Sequence, residues 1–131
     1  MTKTVTSATL SRRERQIMDV LYMLGRANVA DVLNKLDGKP HYSTVRAQLR
    51  VLEGKGHVRH EEEGSRYVYL PTVPRDVARR SALRHLVETF FDGSTEKVVT
   101  ALLGGEAAQI SREELERLAQ LIAESKKEGQ P

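Results

Sequence analysis

The sequence predicts a mostly α-helical protein with one small β-hairpin, divided into an N-terminal and a C-terminal part. Apolar residues recur at helical spacing over most of the 131 residues, a length suited to one domain or two small ones. Between residues 57 and 70 the apolar period changes to two, as in paired strands. Two prolines, Pro71 and Pro74, then separate this hairpin from a second set of helical patterns.

The composition excludes several classes of protein. The chain has no cysteine, which removes disulfides, thiolate catalysis and cysteine-based metal sites. No apolar stretch approaches the roughly 20 residues of a membrane-spanning helix, and the N-terminus has no secretory pattern, so we expect a cytoplasmic protein without a membrane partner. No catalytic triad, phosphate-binding loop or metal-ligand spacing is present. We therefore expect a protein that is not an enzyme and that has no catalytic site, metal or cofactor.

Basic residues are concentrated in the N-terminal part. Residues 1–73 hold twelve Lys and Arg against eight Asp and Glu, a net charge of +4. Residues 74–131 hold nine against ten, a net charge of −1. This distribution is typical of a polyanion-binding domain joined to an assembly domain. Chance clustering on a solvated surface explains the charge alone equally well.

The first helix is predicted at residues 11–24. Ser11 and Glu14 have the spacing of a capping box, in which each side chain satisfies a backbone amide of the other residue. Apolar residues at helical spacing follow on one face, and Gly25 ends the helix. A second helix begins after Asn28, a favoured N-cap residue.

The third helix starts near Tyr42 or Ser43, after a turn at residues 37–40, and runs to Glu53. Its apolar stripe comprises Val45, Leu49 and Leu52. Its exposed face carries Thr44, Arg46, Ala47 and Arg50. The sequence thus predicts a helix with an apolar buried face and an exposed face of short polar and cationic side chains.

A β-hairpin is predicted from residues 57–61 and 66–70, joined by a turn at residues 62–65. Cationic and polar side chains surround this turn, where they can reach a nucleic-acid backbone or minor groove. They are Arg59, His60, Ser65 and Arg66. His57 and His60 are three residues apart on a predicted strand and point to opposite faces, which disfavours a shared metal site.

Three helices followed by a hairpin are the order of a winged helix–turn–helix, whose third helix enters a DNA major groove. The exposed face of the third helix meets the steric and charge requirements of that groove. The alternative is a small helical domain whose third helix is merely solvated. On this interpretation the winged-helix domain spans residues 9–73.

The C-terminal part, residues 74–126, predicts a three-helix dimerisation domain, with flexible tails at 1–8 and 127–131. Its first helix has an apolar stripe too wide for two short helices to cover, and a second copy would bury it. The alternative is that the stripe folds back on the N-terminal domain. The residues expected at the dimer interface are Val77, Leu83, Leu86, Val87, Phe90, Phe91, Leu118, Leu121 and Ile122.

One long segment resembles a known family. Residues 42–56, YSTVRAQLRVLEGKG, and the wing that ends in Tyr67-Val68-Tyr69 resemble the penicillinase-repressor family. The likeness covers roughly residues 9–125 and is strongest over residues 42–70. Members are winged-helix transcriptional repressors that dimerise through C-terminal helices and bind palindromic operators. The resemblance therefore implies a homodimer that represses transcription on double-stranded DNA.

The resemblance also implies roles for individual residues. The operator-reading positions are Thr44, Arg46, Ala47 and Arg50. The residues implied at the phosphate backbone are Ser43, Lys55, Arg66 and Tyr67. Ala47 stands where threonine is common in the family; it lacks the hydroxyl but still offers a methyl group to thymine.

Two further departures concern how repression is relieved. The β-lactam-responsive members are cleaved by a sensor protease at an Asn-Phe bond, and Thr100-Ala101 occupies that place here. The copper-responsive branch uses a cysteine cluster, a mechanism that this cysteine-free chain excludes. A sensor protease is therefore one candidate partner. The rival functional class is a winged-helix protein-interaction module with no specific DNA site.

Overall fold

A computed structural model describes residues 10–129, and the predicted tail at residues 1–8 lies outside this range. Within it the chain forms six helices and one two-stranded antiparallel sheet, which confirms the mostly helical fold with a β-wing. No helix among these residues has the length and hydropathy needed to cross a membrane. The elements are α1 (Arg12–Leu24), α2 (Val29–Lys35), α3 (Tyr42–Gly54), β1 (Val58–Glu63), β2 (Arg66–Pro71), α4 (Arg75–Phe90), α5 (Thr95–Leu103) and α6 (Arg112–Glu128).

The chain divides into two compact units, Met1–Ser81 and Ala82–Pro131. The division falls within α4, and the domain boundary at the prolines stays a prediction. The α4 helix continues across the division as regular structure from Arg75 to Phe90.

Side-chain caps start the first two helices at the predicted residues. The Ser11 hydroxyl accepts the Glu14 N–H at 3.1 Å, and the Ser11 N–H donates to the Glu14 carboxylate at 2.8 Å. Asn28 and Asp31 make the same reciprocal pair at 2.8 and 3.2 Å. Each box satisfies amides that have no partner within the helix, which is why the sequence specifies these starts so closely.

One hydrophobic core holds the first unit together. It joins the inner faces of α1, α2 and α3 to the start of β1 and the middle of β2. Tyr69 ties the sheet to the chain before α2, because its N–H donates to the Ala27 carbonyl at 2.8 Å and the Ala27 N–H donates back at 3.0 Å. The largest fully buried side chains are Tyr69, Ile17, Leu21, Leu49, Leu52, Val32, Val45 and Val58.

The wing is longer than the sequence predicts. The strands pair from Val58 opposite Pro71 to Glu63 opposite Arg66, so β1 extends two residues beyond the predicted end at residue 61. A two-residue turn of Gly64 and Ser65 closes the hairpin. Gly64 has a φ of 65°, a left-handed conformation that costs a glycine little, and this tight turn lets pairing continue to the tip.

Serine caps begin the last two helices. Ser94 and Ser111 each accept the N–H three residues ahead at 3.1 Å. The α6 helix ends at Glu128, past the predicted start of the tail at residue 127. Lys126 and Lys127 in its last turn favour this extension, because cations stabilise the negative end of a helix. Residues 130 and 131 lie outside the described range.

Candidate nucleic-acid interface

The α3 helix has the two faces that the sequence predicts. Its inner stripe of Val45, Leu49 and Leu52 is fully buried. Its outer positions are exposed, namely Ser43, Thr44, Arg46, Ala47 and Arg50. The buried stripe fixes the rotation of the helix, and the exposed face is therefore presented by the packing of the core.

The turn before α3 is held by contacts from α1. Gly38 adopts a φ of 77°, and the Arg13 guanidinium donates to the Asp37 carbonyl at 3.0 Å. At the start of α3, the N-cap residue His41 makes no side-chain hydrogen bond to the first turn. No side chain therefore caps the amides of this turn, and the Thr44 N–H donates to the His41 carbonyl at 3.0 Å. The amides of Tyr42 and Ser43, which come before it, are suited to an anion such as a phosphate.

A cleft of about 540 Å³ opens between α2, α3 and the wing. It brings together three of the predicted DNA-contacting residues, Arg46 on α3 and Arg66 and Tyr67 on β2. The other lining residues are Asn28, Val29, Ala30, Tyr42, Ser65 and Tyr69. Two arginines facing one polar cleft form a site that suits a polyanionic backbone.

Lys55 has a protein partner that the sequence did not reveal. Its Nζ lies 3.1 and 3.0 Å from the two carboxylate oxygens of Glu14. Glu14 is the one buried charged residue of the described chain, and its pKa is lowered, first by the hydrogen bond from the Ser11 N–H and then by Lys55. The expected phosphate contact of Lys55 therefore competes with a half-buried ion pair between α1 and the end of α3.

The wing side chains expected at flanking DNA are partly engaged within the protein. Arg59 lies 3.6 Å from Glu61, and His60 Nδ1 lies 2.6 Å from a Glu53 carboxylate oxygen. His60 thus turns toward the Glu53 carboxylate of α3. Sequence spacing could not show this, because the pair joins a helix to a strand. Ser65 and Arg66 remain exposed at the tip and in the cleft.

The residues predicted at the dimer interface lie on α4 and α6, except Phe91, which directly follows α4. All of them are at least partly exposed. Val87, Phe91 and Leu118 are half-buried. The exposed members are Val77, Leu83, Leu86, Phe90, Leu121 and Ile122. Within the second unit, an apolar groove of about 710 Å³ runs between α5 and α6, and Leu118, Leu121 and Ile122 lie along it.

Among residues 10–129, no three His, Asp or Glu side chains are grouped as a metal site requires. The chemistry available to the described cleft is that of guanidinium, phenol, hydroxyl and amide groups. These groups bind anions and donate hydrogen bonds.

The family model for the penicillinase repressor matches residues 10–124. The chain belongs to this family. It is a family of transcriptional repressors and not of enzymes.

Two curated proteins align with most of this penicillinase-repressor family member. The penicillinase repressor of Bacillus licheniformis is 27% identical over 119 residues, which cover 89% of this chain and 91% of that protein. An uncharacterised 16.5 kDa protein of Latilactobacillus sakei is 27% identical over 115 residues, which cover 86% of this chain and 77% of that protein.

One solved structure was superposed on this chain. It is BpsR of Bordetella bronchiseptica, solved to explain how 6-hydroxynicotinic acid regulates its DNA binding. The TM-score is 0.47 at 14% identity, over 95% of this chain and 80% of BpsR.

Proposed function

We propose that the chain is a homodimeric transcriptional repressor that binds a palindromic DNA operator through α3 and the wing. The observation that carries this proposal is the exposed face of α3, held outward by a fully buried stripe and continued by Arg66 and Tyr67 across the cleft. Family membership supports repression as the outcome of binding.

In this proposal α3 lies in the major groove and reads base edges. Arg46 and Arg50 donate to guanine, the commonest specific contact of arginine, while Thr44 and Ala47 contact neighbouring bases. Ser43, Arg66 and Tyr67 contact the phosphate backbone and set the register of the helix. Lys55 acts mainly through its ion pair with Glu14.

The dimer is proposed to form through the C-terminal helices. None of the residues of α4, α5 and α6 is buried within the described chain, although Leu83, Phe90 and Leu121 are large and apolar. A second copy would cover these side chains and add a second α3 at the matching half-site. Two-fold symmetry of the protein then requires an inverted repeat in the DNA.

Operator binding tests the proposal directly. Purified protein is titrated onto the DNA upstream of its own gene at several salt concentrations. Affinity should fall steeply with salt, because each neutralised phosphate releases counterions. Arg46→Ala and Arg50→Ala should each weaken specific binding by about 1–3 kcal/mol. Arg84→Ala, an exposed arginine on α4, is the matched control and should bind as the wild type does.

Two results would contradict this assignment. Wild-type strength in both α3 arginine variants would mean that another surface reads the DNA. A complete failure to bind duplex DNA in dilute buffer would favour the rival function, a winged-helix module that docks a protein.

Relief of repression by a sensor protease is the finer part of the proposal. The relevant peptide bond, Thr100–Ala101, lies within α5, and the Thr100 hydroxyl donates to the Glu96 carbonyl at 2.8 Å. A protease reaches such a bond only after the helix opens locally. Cleavage there would remove α6 and weaken the dimer. Mass spectrometry of the protein recovered from induced cells tests this route, and an intact chain after induction would exclude it.

A further inference from the structure

We propose that Glu53 and His60 act as positioning residues for DNA binding, because they hold Tyr67 in the wall of the cleft and so fix the wing against α3. We call Glu53, His60 and Tyr67 the wing brace. This inference rests on the proposed function. It adds Glu53 and His60, two residues to which the proposed function gives no contact with DNA.

The brace begins with a contact between helix and strand. His60 Nδ1 lies 2.6 and 2.9 Å from the two carboxylate oxygens of Glu53. Glu53 is in the last turn of α3, and His60 is the third residue of β1. Both side chains are largely shielded, with 26% and 31% of their surface exposed. A shielded pair of this kind resists water and salt better than an open surface pair.

The brace continues from His60 to Tyr67 by stacking. The two rings are 4.2 Å apart between centroids and only 13° from parallel. In the ladder His60 lies opposite Tyr69, and Tyr67 lies opposite Glu62, so the stacked rings are diagonal neighbours on one face of the wing. Tyr69, 2% exposed and bonded to Ala27 through its backbone, supports this face from the core.

Tyr67 is the member that reaches the cleft. It lines the cleft together with Arg46 and Arg66, whereas Glu53 and His60 do not. The carboxylate and imidazole therefore act on the cleft through the Tyr67 ring. Because Tyr67 is held in place, the distance between α3 and the wing is fixed before DNA binds. Less conformational entropy is then lost when the complex forms.

The charge of Glu53 makes this role separable from simple electrostatics. Burial raises the pKa of Tyr69, Glu53 raises it further, and Arg50 and Arg46 lower it. Glu53 and the two α3 arginines therefore all act on Tyr69, and Glu53 lies one helical turn after Arg50. Removing an acid from this basic surface should tighten DNA binding by charge alone. The brace predicts the opposite sign.

The experiment compares Glu53→Ala with Glu61→Ala. Both variants lose one carboxylate, but Glu61 is exposed on the opposite face of β1 from His60 and lies near Arg59. We expect Glu53→Ala to weaken binding to the promoter fragment by about three- to tenfold. Glu61→Ala should bind equally well or more tightly. Thermal melting of each variant, with binding measured well below the midpoint, separates this effect from unfolding.

Two further variants make the test specific to positioning. His60→Phe keeps an aromatic ring to stack on Tyr67 and loses the pair with Glu53, so it should weaken binding as Glu53→Ala does. The double variant should be no weaker than either single variant, because both changes break one contact. Hydroxyl-radical footprints should lose the flanking protection by the wing, while guanine N7 protection by α3 persists.

The outcomes distinguish the brace from the proposed function. If Glu53→Ala and Glu61→Ala bind alike, or if His60→Phe keeps the wild-type footprint, the brace is overturned and the DNA-binding role of α3 stands. If the wild-type protein binds no duplex DNA, the proposed function fails and the brace fails with it.

Discussion

The two units of this protein bury apolar surface in different ways. Every buried hydrophobic residue of the described chain lies between Ile17 and Tyr69. The C-terminal helices contain comparable apolar side chains, yet Phe90 is 69% exposed and Leu121 is 58% exposed. The first unit has a core of its own, and the helices from α4 onward have none within one chain.

Together with the proposed dimer, this difference predicts two sources of stability. Burial within the first unit belongs to one chain and does not depend on concentration. The apolar surface that the C-terminal helices leave exposed would contribute in the proposed dimer, and that contribution would follow mass action.

Phe90→Asp should have the largest effect. A carboxylate at the proposed dimer interface would be buried without a partner, at a cost of about 4 kcal/mol. Light scattering should then show a monomer at concentrations where the wild type is a dimer. Thr89→Asp adds the same charge at the neighbouring exposed position and should remain dimeric. A dimeric Phe90→Asp would show that the apolar stripe of α4 packs elsewhere.

Leu49→Ala and Leu121→Ala should separate the two sources of stability. Leu49 is fully buried in the core, so its truncation should lower the free energy of unfolding by about 3 kcal/mol at every protein concentration. Leu121 is exposed in one chain, so its truncation should matter only where dimer is present. Denaturant unfolding followed over a wide range of protein concentration measures both. If the loss of unfolding free energy depended on protein concentration equally in both variants, the two units would not differ in their source of stability.

Lys55→Met should destabilise the first unit by about 2 kcal/mol, since the buried Glu14 carboxylate loses its cation. If Lys55 mainly contacted phosphate, the same change would leave stability intact and weaken DNA binding uniformly. Urea unfolding compared with the exposed control Lys35→Met decides between these roles.

Acid should reveal the smallest effect. The pKa of Glu14 is lower in the folded protein because the Ser11 N–H and Lys55 stabilise its charged form. The ionised carboxylate therefore stabilises the fold above its unfolded pKa, and this contribution is lost as the pH falls from about 5 through the folded pKa. Glu14→Gln should flatten the acid branch of a melting-temperature profile. Asp19→Asn, exposed on the same helix, should leave the branch unchanged.

Local chemistry explains which features could be predicted from sequence. Capping residues such as Ser11 and Asn28 and the apolar stripe of α3 act over one or two turns, so the elements and the exposed face of α3 were predictable. The pairs Glu14–Lys55 and Glu53–His60 depend on how elements meet in space. The sequence pattern assigned the Glu14 carboxylate to the helix cap, and nothing in that pattern indicated Lys55 as its second partner.

The tight turn at the wing tip has a practical consequence. Ser65 is exposed in the two-residue turn between Glu63 and Arg66, so its side chain can be replaced without disturbing the strand pairing. Because the whole chain lacks cysteine, Ser65→Cys would introduce a single thiol for attaching a fluorophore. Its emission would follow the docking and release of the wing in real time and leave the reading helix unmodified.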